Sequence, residues 1–146
     1  MEEGDRPGLS VRLDAVTKVY AVSGQELPAL RGISLEINPG EVLALVGSSG
    51  SGKSTLLHLS GLLDRPTTGS IFYENRRVDQ LSPSERAVLR SRRVGFVFQN
   101  FQLIPRTTAL ENVEMPLLYQ GVPSRERHER ARMLLSSVGM RWLFFD

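Results

Sequence analysis

The sequence predicts an α/β fold, and three observations predict it. Val42, Leu43, Ala44, Leu45 and Val46 form an all-apolar run that reads as a buried strand, and it feeds directly into a glycine-rich loop. Ahead of this run, apolar and polar residues alternate as in a half-buried sheet, through Val11, Leu13 and Val16 and again through Ile33, Leu35 and Ile37. Behind it, capping residues and turn signals separate further helices and strands. The expected architecture is a core sheet carrying the loop, an antiparallel β flank, and the start of a helical subdomain from about Gln99 onward.

Taken in chain order, residues 1–9 read as a disordered lead-in, with Gly4, Pro7 and Gly8 and no periodicity. The first strand pattern runs on to Val19 and Tyr20. A polar break at Ser23, Gly24, Gln25 and Glu26 has the composition of a hairpin turn. After the second strand pattern, Asn38, Pro39, Gly40 and Glu41 make a turn into the apolar run. A helix is expected to begin near Lys53 and to bury Leu56, Leu57, Ser60, Gly61 and Leu63. Pro66, Thr67, Thr68 and Gly69 turn the chain into a short strand from Ser70 to Tyr73.

Ser82 as cap, Pro83 at the first helical position and Glu85 three residues after the cap predict a helix from about Pro83 to Ser91. Residues 93–98 read as a second buried parallel strand ending at Gln99. Ser124 is expected to cap a charged amphipathic helix from Arg125 to about Val138, stopped by Gly139. The domain reading is therefore a lead-in over 1–9, one domain over 10–139 and an atypical tail over 140–146.

Composition narrows the function. The chain of 146 residues is long enough for one domain with a core, and its formal net charge is +2. Lys18 and Lys53 are the only lysines; arginine supplies the other basic residues, clustered at Arg76 and Arg77 and at Arg86, Arg90, Arg92 and Arg93. No aromatic residues interleave with these clusters, so they read as a solvated helix face and no nucleic-acid partner is expected. There is no cysteine, which excludes disulfides and thiolate metal sites. No apolar stretch approaches the roughly 20 residues of a membrane span, and the N-terminus is acidic rather than signal-like. A cytoplasmic location is expected, with any membrane attachment made through a partner.

The loop carries the chemistry. Gly47, Ser48, Ser49, Gly50, Ser51, Gly52, Lys53, Ser54 and Thr55 fit the phosphate-loop pattern G-x-x-x-x-G-K-[ST]. Glycines let the backbone turn tightly so that successive N–H groups face phosphate oxygens. Lys53 adds a full positive charge at the β and γ phosphates, and the Ser54 hydroxyl is suited to ligating Mg²⁺. The start of the following helix presents its positive dipole end to the same anion. ATP with Mg²⁺ is the expected ligand pair. A guanine-selecting Asn-Lys-x-Asp pattern is absent, which argues against a GTPase.

Two further residues gain a role from their setting. Gln99 falls at the carboxyl end of the second expected strand, the edge where open α/β sheets bind ligands. Its amide can ligate Mg²⁺, hold a water or donate to a phosphate. Tyr20 offers a ring to a nucleobase, although by its strand setting alone it reads first as a half-buried aromatic in the sheet.

The order of Lys18, Val19 and Tyr20, then Ala29 through Ile37, then Pro39, Gly40 and Glu41, the phosphate loop, and Val94 through Gln99 resembles the ATP-binding subunit of an ABC transporter. Asn100 through Pro105 and Thr107 through Leu117 resemble more narrowly the MacB/LolD-type subfamily of lipoprotein release and macrolide export. The resemblance implies an ABC-type phosphate-loop core sheet in which Tyr20 stacks on adenine. It makes Gln99 the lid glutamine that touches Mg²⁺ and the attacking water. It also implies that residues 100–112, from Asn100 to Asn112, face a transmembrane subunit, with Phe101, Leu103, Ile104 and Pro105 as an apolar patch. A second ATP-binding subunit would complete a head-to-tail dimer, peripheral on the inner face of the plasma membrane.

The sequence departs from that pattern after Gly139. It contains no Leu-Ser-Gly-Gly-Gln-like signature, no second acidic strand motif with its glutamate and no switch histidine; His58 and His128 stand elsewhere in the chain order. Met140 to Asp146 read as residues following a truncation or frameshift, leaving Trp142, Phe144 and Phe145 without a burial site. The expectation is a C-terminally incomplete, exporter-type subunit that binds ATP with little hydrolysis. The alternatives are a non-hydrolysing nucleotide-binding module and a soluble ABC-type ATPase.

Overall fold

The computed structural model describes residues 8–100 and 102–141. Most of the lead-in, Phe101 and the tail aromatics Trp142, Phe144 and Phe145 lie outside these described residues. The chain divides into two compact units, residues 1–94 and 95–146.

The first unit opens on a long hairpin. Strand β1, Val11–Val22, pairs antiparallel with β2, Gln25–Ile37. The turn is Ser23 and Gly24, both at positive φ (50° and 80°), the twist a two-residue hairpin requires. Helix α1, Lys53–Ser60, follows the phosphate loop, and β3, Thr68–Tyr73, returns beside β1. The short β4, Arg76–Arg77, closes a four-stranded sheet of order β2-β1-β3-β4. Helix α2, Pro83–Arg93, ends the unit.

A bulge interrupts β1. Ala15 sits at φ 46°, and the register slips between Leu13 and Val16 against β2. Its N–H donates to Ser34 Oγ at 2.9 Å, so the unpaired backbone group is satisfied. Gly69 faces the bulge; a Cβ there would lie 2.5 Å from the Ala15 carbonyl oxygen. Beyond the bulge, β1 still pairs with β3 at Thr17 and Thr68 and also bonds to the residue before β3: Thr67 N–H donates to Thr17 O at 2.9 Å, and Val19 N–H to Thr67 Oγ1 at 2.9 Å.

The core of this unit is Leu13, Val16, Leu30, Leu56, Leu59, Leu62, Ile71, Tyr73 and Val78. Helix α1 contributes Leu56 and Leu59, whereas Leu57 and Leu63, expected on its buried face, are exposed. The Tyr73 hydroxyl donates to Ser60 O at 2.5 Å, and burial pushes its pKa well above the ordinary tyrosine value. Asp79 accepts from Ile71 N–H at 2.9 Å and from Arg77; burial alone would raise its carboxyl, but these donors hold it below the usual carboxylate range.

Three sequence expectations are corrected. Residues 42–46 form no strand: no ladder partner exists for them among the described residues, and Val42 and Val46 are 97% and 89% exposed. Residues 93–98 are likewise no strand. Arg93 is the last residue of α2, residues 94–98 have no ladder partner among the described residues, and Val97 and Phe98 are exposed. An all-apolar run states what surroundings a segment needs, whereas a strand is defined by neighbours that hydrogen-bond to it. Third, the arginines of α2 are not uniformly solvated. Arg86 and Arg90 are half-buried and donate to the carbonyl oxygens of Asp64 (3.2 Å) and Leu62 (3.0 Å), just past the end of α1.

The second unit holds α3, Ala109–Tyr119, and α4, Ser124–Ser137. Thr108 and Glu111 form a reciprocal capping box at the start of α3, a T-x-x-E pattern that predicts a helix there as plainly as Ser82 and Glu85 do for α2. Pro123, not Ser124, is the cap of α4, because the backbone of Ser124 is already helical. Gly139, at φ 80°, stops the helix as expected, with its N–H on Ser136 O and that of Met140 on Leu135 O. Glu114 of α3 pairs with Arg127 and His128 of α4, and Ala131 and Leu135 are the buried residues of α4.

Candidate functional site

The phosphate loop leaves β2 through the Asn38 to Glu41 turn and ends at Gly52, the N-cap of α1. Gly52 sits at φ 89°, and no side chain caps the first N–H groups of the helix. Those groups at a helix start are the donors that an anion satisfies. A Cβ on Gly52 would lie 2.6 Å from the Ala29 carbonyl oxygen and 2.8 Å from Leu30 Cδ2, so only glycine lets the loop close onto β2.

Lys53 reaches back into the loop. Its Nζ donates to Gly47 O at 2.9 Å, to Ser48 O at 2.6 Å and to Ser51 Oγ at 3.2 Å. The ammonium therefore sits in a ring of neutral oxygen acceptors, with no carboxylate among its partners in the described residues. A phosphate oxygen offers such a cation a full charge in place of partial ones. Ser54 and Thr55 follow on the first turn of α1, with Ser54 exposed. The donor set fits a nucleoside triphosphate with Mg²⁺: uncapped helix N–H groups, one ammonium and hydroxyls as hard oxygen ligands. Among the described residues no group of three or more His, Asp or Glu side chains forms a separate metal cluster.

Tyr20 comes to the same place. A pocket of about 280 Å³ is lined by Tyr20, Leu27, Pro28 and Ala29 on the hairpin side and by residues 50–55 of the loop and α1. Tyr20 and Leu27 are direct cross-strand partners, which sets the ring beside the end of β2. The Tyr20 hydroxyl donates to Asp64 Oδ2 at 3.0 Å, and Lys18 Nζ lies 4.8 Å from the ring centre. Lys18 in turn donates to Asp64 Oδ1 and to Arg65 O, each at 2.8 Å. Burial would raise the Asp64 carboxyl, but the hydrogen bonds from Lys18, Arg65 N–H and Tyr20, together with the Lys18 charge, hold it below the usual carboxylate range.

Gln99 belongs to the second unit, at an exposed bend rather than a strand end. In that unit the segment after it is tied down by Asn112. Ile104 N–H donates to Asn112 Oδ1 at 2.9 Å, and Asn112 Nδ2 donates to Thr107 Oγ1 at 2.6 Å and Thr108 O at 2.9 Å. Leu103, Ile104 and Pro105 are exposed on it. No described helix is long and apolar enough to cross a membrane.

Residues 30–143 match the family model described as "ABC transporter". The chain belongs to the ABC transporter family. Its match to an uncharacterized ABC transporter ATP-binding protein of Thermotoga maritima is 50% identical over 86% of this chain and 53% of that protein. The lipoprotein-releasing system ATP-binding protein LolD of Aquifex aeolicus is 48% identical over 89% of this chain and 56% of its own length. The macrolide export ATP-binding/permease protein MacB of Syntrophobacter fumaroxidans is also 48% identical, over 89% of this chain and 18% of its own length. Among solved structures, a dimeric ATP-binding cassette in a post-hydrolysis state bound to ADP and Pi superposes with a TM-score of 0.79. It is 42% identical over 86% of this chain and 56% of that one. This ABC chain thus spans about half the length of the stand-alone ATP-binding relatives it matches. The α/β class and the relation to MacB- and LolD-type proteins agree with the sequence reading.

Sequence reasoning singled out the loop, Tyr20 and Gln99, but not Asp64 or the hairpin residues Leu27, Pro28 and Ala29. A signal for Lys18 was available: two residues from Tyr20 on a strand, it shares the ring's side. Asp64 lies 44 residues further on than Tyr20, and nothing in the local pattern joins them.

Proposed function

We propose that this ABC chain is a nucleotide-binding portion of an exporter-type transporter and that it binds ATP with Mg²⁺ at Gly47 to Thr55. The observation that carries the reading is Lys53 Nζ, held by Gly47 O, Ser48 O and Ser51 Oγ at the mouth of a pocket that Tyr20 also lines. In this reading the phosphates lie along the uncapped start of α1, Lys53 exchanges loop acceptors for phosphate oxygens, and adenine stacks on Tyr20. Ser54 would hold Mg²⁺, which when bound neutralises charge across the β and γ phosphates. For Gln99 the family resemblance implies a contact with Mg²⁺ and with the attacking water.

The naming of two relatives for lipoprotein release and macrolide export supports a membrane partner. We assign its docking to residues 100–112, and we assign a second ATP-binding subunit to a head-to-tail pair, so that the chain works peripherally on the inner face of the membrane. The 146 residues hold the phosphate cradle but no Leu-Ser-Gly-Gly-Gln-like signature and no acidic strand motif. By themselves they would bind nucleotide with little turnover, because hydrolysis needs a group that orients water and a donor to the γ-phosphate from across the dimer. Calorimetric titration with Mg-ATP tests the reading. Binding is expected for the wild-type chain, with a loss of roughly tenfold or more in Lys53→Ala, on the scale of a charged hydrogen bond. Equal heats for both proteins would refute it.

A further inference from the structure

Three features surround the Tyr20 ring, and the phosphate loop requires none of them. The hydroxyl donates to Asp64 Oδ2 at 3.0 Å; Lys18 Nζ packs over the ring 4.8 Å from its centre; and the same ammonium donates to Asp64 Oδ1 at 2.8 Å. Asp64 therefore receives the ring's tip on one oxygen and the ammonium that covers the ring on the other. Its own backbone is fixed as well, since Arg86 Nη1 donates to Asp64 O at 3.2 Å, and Arg65 N–H donates to Oδ1 at 2.7 Å. The Lys18 side chain is 13% exposed and that of Asp64 33%, so this ion pair is partly shielded from solvent. Tyr20 lines the pocket with Leu27, Pro28 and Ala29, three residues before the hairpin turn at Ser23. Without an anchor, a tyrosine so close to a strand end rotates about two side-chain torsions, and a stacking ligand must arrest that motion.

We propose that Asp64 is a positioning residue for base recognition: by accepting from Tyr20 Oη and Lys18 Nζ it holds the ring in the orientation that stacks on the nucleobase. This rests on the nucleotide-site reading above. Lys18 is the second half of the device, because it packs on the ring while its charge is matched by Asp64. The phosphate loop contributes nothing to this anchor, so the two halves of the ligand are recognised by separable parts of the pocket.

The test is equilibrium binding of Mg-ATP and of Mg-tripolyphosphate, which has the phosphate chain and no base, to the whole chain and its variants. Tyr20→Phe keeps the ring and removes only its anchor; Asp64→Ala removes the acceptor. Each is expected to weaken ATP roughly threefold to tenfold, the scale of immobilising one side chain, while tripolyphosphate binds as to wild type. The double variant is expected to be no weaker than the worse single one, since the bond that Tyr20→Phe removes is one of those that Asp64→Ala removes. Tyr20→Phe binding ATP as the wild type does overturns the proposal, as does Asp64→Ala losing ATP and tripolyphosphate alike. Wild-type protein binding tripolyphosphate and ATP equally also overturns it while leaving the phosphate site standing. Wild-type protein binding neither removes the nucleotide reading and this proposal together.

Discussion

Gly52 packs so closely under Ala29 that a methyl group on its α-carbon would stand 2.6 Å from the Ala29 carbonyl oxygen. This contact joins the last turn of the phosphate loop to β2, and through β2 to Leu27 and Pro28 at the far side of the pocket. Gly52→Ala is expected to cost about 1–3 kcal/mol for the positive φ alone, with the clash in addition. The check is a thermal melt followed by nucleotide titration, both expected to fall together. A variant as stable as wild type would mean that the loop does not need this approach.

Leu59 carries the packing of α1 against the sheet, fully buried among Leu13, Val16 and Ile71. Leu59→Ala is expected to destabilise the first unit by about 2–5 kcal/mol, read from urea unfolding. Leu57→Ala, two residues away on the opposite side of the helix and 55% exposed, is expected to change stability by less than about 1 kcal/mol.

Two capping boxes start α2 and α3. Ser82→Ala and Thr108→Ala each remove a side-chain acceptor from the N–H of Glu85 or Glu111. Each is expected to cost about 1 kcal/mol. Amide exchange is the appropriate readout: Ser82→Ala should loosen the first turn of α2, in the first unit, and Thr108→Ala that of α3, in the second.

Acid should act through Asp64 and Asp79. Both carboxyls are held below the ordinary value near 3.8, so each is more readily ionised in the folded chain than in the unfolded one. For a depressed folded pKa the stabilising contribution is complete above the unfolded value and is lost as pH falls through the folded one. Melting temperature is therefore expected to hold from neutral pH down to about pH 4 and to fall below it. Asp64→Asn and Asp79→Asn should each flatten that acid limb; an unchanged limb in both would contradict the assignment.

Much of this was legible in the sequence, for reasons that differ by residue. Ser23 and Gly24 between alternating strands specify a hairpin by local chemistry, and Ser82, Pro83 and Glu85 specify a helix start in the same way. The phosphate loop was legible as a motif because its glycines, Lys53 and Ser54 fall at the fixed spacing of G-x-x-x-x-G-K-[ST]. Thr108 and Glu111 carry the same signature as Ser82 and Glu85, and α3 was readable from them. Residues 42–46 and 94–98 were misread because apolar runs report a need for burial, while strand pairing depends on chain remote in sequence. The anchoring of Tyr20 by Asp64 and the capture of Arg86 and Arg90 by carbonyls after α1 are tertiary meetings that no spacing rule encodes.

The most direct test of the nucleotide site is backbone amide exchange, resolved by residue, with and without Mg-ATP. Phosphate oxygens on the loop and the start of α1 should slow exchange across residues 48–55, and a base on Tyr20 should do so near the hairpin end, with residues far from the pocket unchanged. Protection that leaves residues 48–55 untouched, or none at saturating Mg-ATP, would contradict the account.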